Sequence, residues 1–145
     1  MREYLHRGHT ITDLKYHFVW ATKYRYPVLR GDVAHRVRDL VKEICAAREI
    51  TIVKGVVSKD HVHILTVCPP HLAPAQIMQY VKGKSSRRLQ MEFAHLRKRY
   101  WGQHLWARGY FCASSGTVTD ETIKVYIDGH TNREGEMDFK VEVPE

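Results

Sequence analysis

The chain has 145 residues, a net charge of +7 and 43% hydrophobic residues, which is enough for one domain with a substantial core. No segment reaches the apolar length of a membrane span, and the first residues, "MREYLHRGHTITDL", lack the apolar core of a signal peptide. The three cysteines are widely spaced and odd in number, unlike a disulfide or zinc framework. We therefore expect a single domain over residues 1–145, a cytoplasmic location and no membrane partner.

The first half of the chain alternates strand and helix signals. Aromatic and β-branched residues in "LKYHFVWATKYR" predict a first strand. Apolar residues at helical spacing predict an amphipathic helix over residues 33–48. The segments "ITIVKGVVS" and "HVHILTVCPP" predict two further strands, and the short connection between them indicates an antiparallel hairpin.

The second half begins with a helix whose first turn suits Pro74. We expect Gly83 to interrupt this helix, before a basic helical segment whose apolar stripe of Leu89, Phe93, Leu96 and Tyr100 faces the core. The segment "LWARGYFCASS" predicts a fourth strand, and "TDETIKVYIDGH" predicts a last helix. Residues 131–145 are expected to form a loosely held acidic tail.

The order of these elements is β-α-β-β-α-β, followed by one helix. This order is typical of the ferredoxin-like or RRM-like fold, an α+β architecture in which an antiparallel sheet carries its helices on one face. The sequence therefore predicts that fold class.

The excess positive charge is confined to one stretch. Residues 76–108 hold eight basic residues and one acidic residue, while the remaining chain holds 15 of each sign. Such a cluster favours a nucleic-acid phosphate backbone as the partner. The alternative is a solvated helix face.

Two histidines, His61 and His63, alternate with apolar residues in the third predicted strand. Side chains two residues apart on a strand leave the same face, with Cα atoms about 6.5 Å apart. Such a pair can converge on one cation. The alternatives are a satisfied structural pair and a chance arrangement.

The last predicted helix places Tyr126 and His130 one turn apart, on one face. The alternative for Tyr126 is an ordinary core aromatic. His130 leaves that face if Gly129 ends the helix.

Five blocks, "YHFVWATKYRYPVL", "DHVHIL", "YVKGKSSRRL", "WARGYF" and "TDETIKVYI", stand in the order and spacing of the single-tyrosine HUH transposases of the insertion sequence 200/605 family. The chain resembles this family over about residues 14–127. HUH denotes histidine, bulky hydrophobe, histidine, which His61-Val62-His63 matches.

The resemblance implies the HUH endonuclease fold and a tyrosine nucleophile at Tyr126. It also implies Mg²⁺ or Mn²⁺ held by His61 and His63, with a third ligand one helical turn after the tyrosine. That third position usually holds glutamine and is His130 here. Asp60 matches the acidic residue that usually precedes the motif, either as a group that supports the ligands or as a turn residue.

The implied reaction is cleavage and rejoining of single-stranded DNA beside hairpins by a homodimer, through a 5′-phosphotyrosine and a free 3′-OH. The DNA contacts are expected from the basic stretch and its two serines: Lys82, Lys84, Ser85, Ser86, Arg87 and Arg88. Four aromatic residues could stack on bases: Tyr80, Trp101, Trp106 and Tyr110. At least two of them are expected in the core instead. His17 is expected to be a satisfied structural histidine.

Two other functions stay open at this point. One is a non-catalytic nucleic-acid-binding module on an RRM-like sheet, which needs no metal. The other is a host-adopted relative that nicks repeat hairpins without moving an element.

Overall fold

A computed structural model describes residues 5–8, 10–114 and 139–142. An N-terminal ribbon pairs two short strands, and the rest of the described chain forms one five-stranded sheet with its helices. The elements in chain order are β1 (Leu5–Arg7), β2 (Thr10–Thr12), β3 (Lys15–Ala21), a 3₁₀ turn (Lys23–Arg25), α1 (Gly31–Ala46), β4 (Thr51–Ser58), β5 (His61–Val67), α2 (Pro74–Glu92), α3 (Ala94–Arg99), β6 (Phe111–Ser114) and β7 (Phe139–Val141).

The large sheet has the order β6-β3-β5-β4-β7. Neighbours among the first four strands are antiparallel, and β7 lies parallel to β4 at the edge. With α1 after β3 and α2 after β5, this is the ferredoxin-like arrangement, and the predicted fold class is confirmed. Within the described residues, no helix combines the length and apolarity needed to cross a bilayer.

The core lies between the sheet and its helices. Strand residues such as Phe18 and Ile64 pack in one cluster with helix residues such as Val41 and Val81. The alternation of side chains along β5 therefore places Val62 and Ile64 toward the helices and His61 and His63 on the opposite face. The hairpin predicted between β4 and β5 is confirmed, with Ser58 paired to His61.

Two predicted boundaries were wrong. Helix α2 continues through Gly83 and ends at Glu92, because Phe93 has an extended backbone. A glycine costs about 1 kcal/mol in a helix interior, which the buried residues Val81 and Leu89 on either side outweigh. The fourth strand covers only Phe111–Ser114.

Part of the range predicted as an acidic tail is paired in the sheet. Phe139–Val141 form β7, and Glu142 continues its contact with β4: its backbone N–H donates to Val57, and its carboxylate accepts from the Ser58 hydroxyl at 2.6 Å. The chain is anchored to the sheet here, so these residues are not a tail. The helix predicted to carry Tyr126 and His130 lies outside the described residues.

Candidate active site

The two histidines of the motif lie on β5, the central strand of the sheet. His61 is opposite Ala21 and Ser58, and His63 is opposite Val19 and Val56 on the neighbouring strands. Both imidazoles are buried. The fold therefore gives them a shared face and a rigid support, as their spacing predicts.

Asp60 fixes the ring of His61. The last residue of the β4–β5 turn, it is buried, and its Oδ1 lies 3.0 Å from Nδ1 of His61. A carboxylate can only accept here, so Nδ1 donates, and in the neutral ring Nε2 keeps the lone pair. Asp60 is therefore a turn residue that also contacts His61, and its support of a metal ligand stays a prediction.

A third histidine, His17 on β3, contacts the motif. Its Nδ1 lies 3.0 Å from Nε2 of His63, and the two rings are stacked with centroids 5.2 Å apart. Burial, with a smaller effect of the Lys54 charge, lowers the pKa of His17 to about 4. His17 is thus neutral at pH 7 and hydrogen-bonded, as expected, although its partner was not foreseen.

The histidine pair presents two imidazoles on one face of β5, where Nε2 of His63 lies 3.0 Å from Nδ1 of His17. Both side chains share this face, and because the Asp60 contact holds the proton on Nδ1, Nε2 is the nitrogen of His61 that would ligate a divalent cation. Among the residues that the structure describes, no three His, Cys, Asp or Glu side chains form a metal cluster. A complete ligand set would therefore need His130, which lies outside the described residues, or oxygen ligands from substrate and water.

The segment that contains Tyr126 and His130 is bounded by described strands. Strand β6 ends at Ser114 and β7 begins at Phe139, and these are the two edge strands of the sheet. The histidine-bearing strand β5 lies midway between these edges. The chain is therefore fixed on both sides of Tyr126 to the sheet that carries the histidines.

The basic stretch forms the wall of a groove of about 730 Å³ between α2 and the segment 97–109. We call it the basic groove. Its lining includes no acidic residue. It includes five cationic side chains: Lys23, Lys82, Arg87, Arg97 and Arg108. Its charge matches a polyanion.

Two basic residues of α2 have further contacts. The Lys82 ammonium donates to the carbonyls of Ala107 at 2.8 Å and Gly109 at 2.7 Å, and burial lowers its pKa. Arg88 pairs with Glu92, which also accepts two hydrogen bonds from Arg36. Lys84 and Arg87 are exposed, so they present their charge to solvent more directly than Lys82.

The two serines of the basic stretch face the interior. Ser85 is fully buried; it donates to the Val81 carbonyl at 2.5 Å and accepts from the Trp106 indole at 2.9 Å. Ser86 is buried as well and accepts from the backbone N–H of Leu105 at 3.1 Å. Both hydroxyls hold residues 105–106 against α2, which argues against the expected phosphate contacts of Ser85 and Ser86, although Ser86 also lines the basic groove.

The four candidate stacking aromatics separate by burial. Trp106 is in the core, Tyr80 lies under the Arg48 guanidinium, and Tyr110 packs edge-on against Phe18. Trp101 is 87% exposed. Only Trp106 of the four is buried in the core, whereas Tyr80 and Tyr110 are half-buried and pack against it, so the expectation of at least two core residues is met only in part. Trp101 is the candidate for contact with bases.

Comparisons with known proteins identify the family of this chain. A model of the family described as "Transposase IS200 like" matches residues 10–130. The chain is 32% identical over 128 residues to the ISDra2 transposase TnpA of Deinococcus radiodurans, covering 88% of this chain and 91% of that protein. It is 32% identical over 137 residues to the IS200 transposase of Salmonella typhimurium, covering 94% of this chain and 89% of that protein.

Solved structures give the same result. A crystal structure of a Deinococcus radiodurans R1 protein assigned as a transposase aligns with a TM-score of 0.77 at 32% identity, covering 88% of this chain and 98% of that one. A REP-associated tyrosine transposase bound to a REP hairpin aligns with a TM-score of 0.55 at 13% identity, covering 86% of this chain and 68% of that one, and supports the fold alone.

These matches define the chain as a transposase, a class of enzyme that cleaves DNA. It belongs to the IS200-like transposase family, as the five sequence blocks indicate.

The sequence did not reveal the contribution of Arg25, whose guanidinium lies 3.0 Å from Asp60. The only signal for it was its place at the end of the first block, "YHFVWATKYRYPVL".

Proposed function

We propose that this transposase is a divalent-metal-dependent endonuclease and strand transferase for single-stranded DNA, with Tyr126 as its nucleophile. The observation that carries the proposal is the pair His61 and His63 on one face of the central strand, with Asp60 setting the tautomer of His61. The resemblance of the last sequence block assigns the nucleophile. The alternative of a non-catalytic RRM-like module gives no role to a histidine pair ordered in this way.

In the proposed reaction the Tyr126 oxygen attacks phosphorus and the bond to the 3′ oxygen breaks. The leaving oxygen takes a proton and becomes a free 3′-OH, while the 5′ phosphate stays on the tyrosine. One phosphodiester replaces another, so a second 3′-OH can reverse the step and rejoin DNA without ATP. A phenol is mostly neutral at pH 7 and needs activation.

His61 and His63 would hold Mg²⁺ or Mn²⁺, with His130 as the proposed third ligand. When bound, the cation polarises the scissile phosphate and lowers the cost of charge on its oxygens. The chain's own contribution is positional: β5 fixes both imidazoles, Asp60 keeps the His61 proton on Nδ1, and His17 contacts His63.

We place the hairpin DNA on the basic groove, with Arg87, Arg97 and Arg108 as phosphate contacts. These guanidinium groups line a single concave surface without acidic neighbours in the groove, and arginine forms bidentate contacts with phosphate. The REP-associated relative of the same fold was solved with a REP hairpin. Lys84 and Arg88 would extend this surface along α2.

We also propose a homodimer, as the resemblance implies, with Tyr126 serving the histidine pair of either subunit. Light scattering on the purified chain tests the dimer. Mixing a Tyr126→Phe protein with a His61→Ala protein tests the exchange, because covalent product in the mixture requires the intact tyrosine of one subunit to act at the intact histidines of the other.

The central experiment is incubation with hairpin-bearing single-stranded DNA and Mn²⁺, followed by a denaturing gel. We expect a shifted covalent adduct that needs the metal. Tyr126→Phe and His61→Ala should abolish the adduct while hairpin binding persists. Tyr24→Phe is the matched control, since Tyr24 is 69% exposed and lies outside the site. Adduct formation by the Tyr126→Phe protein would refute the assignment.

A further inference from the structure

A carboxylate joins an arginine to the first histidine of the motif. Asp60 Oδ2 accepts from Nε of Arg25 at 3.0 Å, while Asp60 Oδ1 accepts from Nδ1 of His61 at 3.0 Å. Asp60 is 4% exposed. Each oxygen of this buried carboxylate therefore has a partner on a different element.

The arginine is delivered by a strained turn. Tyr24 and Arg25 have φ angles of 64° and 56°, in the left-handed region that side chains other than glycine rarely adopt. Consecutive residues in this region persist only where surrounding structure holds them, and such strain concentrates at functional sites.

Backbone hydrogen bonds hold this turn in place, and one of them is made to Asp60 itself. The backbone N–H of Thr22 donates to the Asp60 carbonyl at 2.9 Å, and Lys23 N–H donates to the Leu105 carbonyl at 2.8 Å. Leu29 N–H donates to the carbonyl of Lys59 at 2.9 Å. Backbone bonds on both sides of the turn thus fix Arg25 against the β4–β5 hairpin.

We propose that Arg25 is a positioning residue for the active site. By occupying Oδ2, its guanidinium stops rotation of the Asp60 carboxylate and keeps Oδ1 directed at Nδ1 of His61. The proton of the His61 ring is then held on Nδ1, and Nε2 carries the lone pair. The consequence for metal binding rests on the proposed function; the effect on the tautomer does not.

A planar guanidinium is suited to this role. It presents donors in a fixed geometry, whereas a lysine ammonium acts as a rotating point charge. Arg25 has 38% of its side chain exposed, so solvent screens the charge attraction, and the directional hydrogen bond carries the effect. The left-handed turn sets the direction from which the guanidinium approaches.

Nitrogen-15 NMR of histidine side chains in the metal-free protein tests this directly, because it distinguishes a proton on Nδ1 from one on Nε2. His61→Ala assigns the His61 signals among the 10 histidines. We expect wild-type His61 to be protonated on Nδ1. Arg25→Gly keeps the turn, since glycine favours this backbone, but removes the guanidinium, and should populate the Nε2–H tautomer.

Tyr24→Gly is the matched control: it relieves the same strain, retains Arg25 and should leave the tautomer unchanged. Mn²⁺ binding, followed by the electron paramagnetic resonance signal of the free ion, should weaken about 10-fold in Arg25→Gly and not in Tyr24→Gly. Arg25→Gln, with circular dichroism to confirm folding, repeats the test without glycine.

The proposal is overturned if His61 of the wild type carries its proton on Nε2. It is also overturned if both Arg25 variants keep the proton on Nδ1 and bind Mn²⁺ as the wild type does. The tautomer is read without metal or DNA. If no covalent protein–DNA adduct forms, the proposed nuclease activity is refuted, but the effect of Arg25 on the His61 tautomer can still be measured.

Discussion

Gly55 on β4 and Phe139 on β7 are paired across the parallel edge of the sheet, and a Cβ atom at Gly55 would lie 2.8 Å from Cδ1 of Phe139. The phenyl ring thus packs onto the bare backbone of the neighbouring strand. This contact anchors the chain just after the segment that carries Tyr126.

The first prediction concerns this anchor. Gly55→Ala should lower the free energy of unfolding by about 1–3 kcal/mol, because the new methyl group overlaps both Phe139 and Ile64. Urea denaturation measures the loss. The double variant Gly55→Ala/Phe139→Leu should recover part of it by removing the ring. A double variant no more stable than Gly55→Ala alone would show that Phe139 is not the group in conflict.

The second prediction separates structural from binding roles on α2. Ser86→Ala removes the acceptor for the buried backbone N–H of Leu105 and should destabilise the fold by about 1–3 kcal/mol. Hairpin affinity, measured at a temperature where the variant is folded, should stay within about twofold of the wild type, which is well under 1.4 kcal/mol. A large loss of DNA affinity with unchanged stability would return Ser86 to the DNA interface.

The third prediction is the converse. Arg87→Ala removes an exposed charge that lines the basic groove, so stability should change by less than about 0.5 kcal/mol. Hairpin affinity should fall, and the slope of log affinity against log salt should become shallower by about 1. Lys42→Ala on α1 is the control, since Lys42 is exposed but lies outside the groove. If Arg87→Ala and Lys42→Ala lower hairpin affinity equally, the basic groove is not the binding surface.

The fourth prediction uses the cysteines. Burial raises the pKa of Cys45 to about 12 and that of Cys68 to about 11. Since the thiolate is the reactive form, both should be inert to a thiol reagent at pH 8 in the folded protein and react only on unfolding. The half-buried Cys112, whose pKa burial also raises, should react first. Fast labelling of Cys45 without denaturant would contradict the described packing.

The sequence predicted the order of helices and strands along the chain from β3 to β6, and the shared face of His61 and His63, because both follow from side-chain alternation and hydrophobic period. It also contained a signal for Ser85 that was missed. Val81, Ser85 and Leu89 stand four residues apart, so Ser85 shares the buried helix face. Because basic residues surround Ser85 in the sequence, it was predicted to contact DNA phosphate instead.

Other features could not be predicted from local pattern. The contact between Arg25 and Asp60 joins positions 35 residues apart and depends on a left-handed turn of two side-chain-bearing residues, against their intrinsic preference. The place of β7 was hidden for a similar reason. A three-residue strand in an acidic segment has too few positions for alternation to be recognised.

Mass spectrometry of the covalent adduct tests the central claim most directly. After reaction with hairpin-bearing single-stranded DNA and Mn²⁺, nuclease and protease digestion should leave a nucleotide, linked through its 5′ phosphate, on the peptide that contains Tyr126. That adduct should be absent from the His61→Ala protein. A nucleotide on another residue, or an undiminished Tyr126 adduct in the His61→Ala protein, would contradict the account.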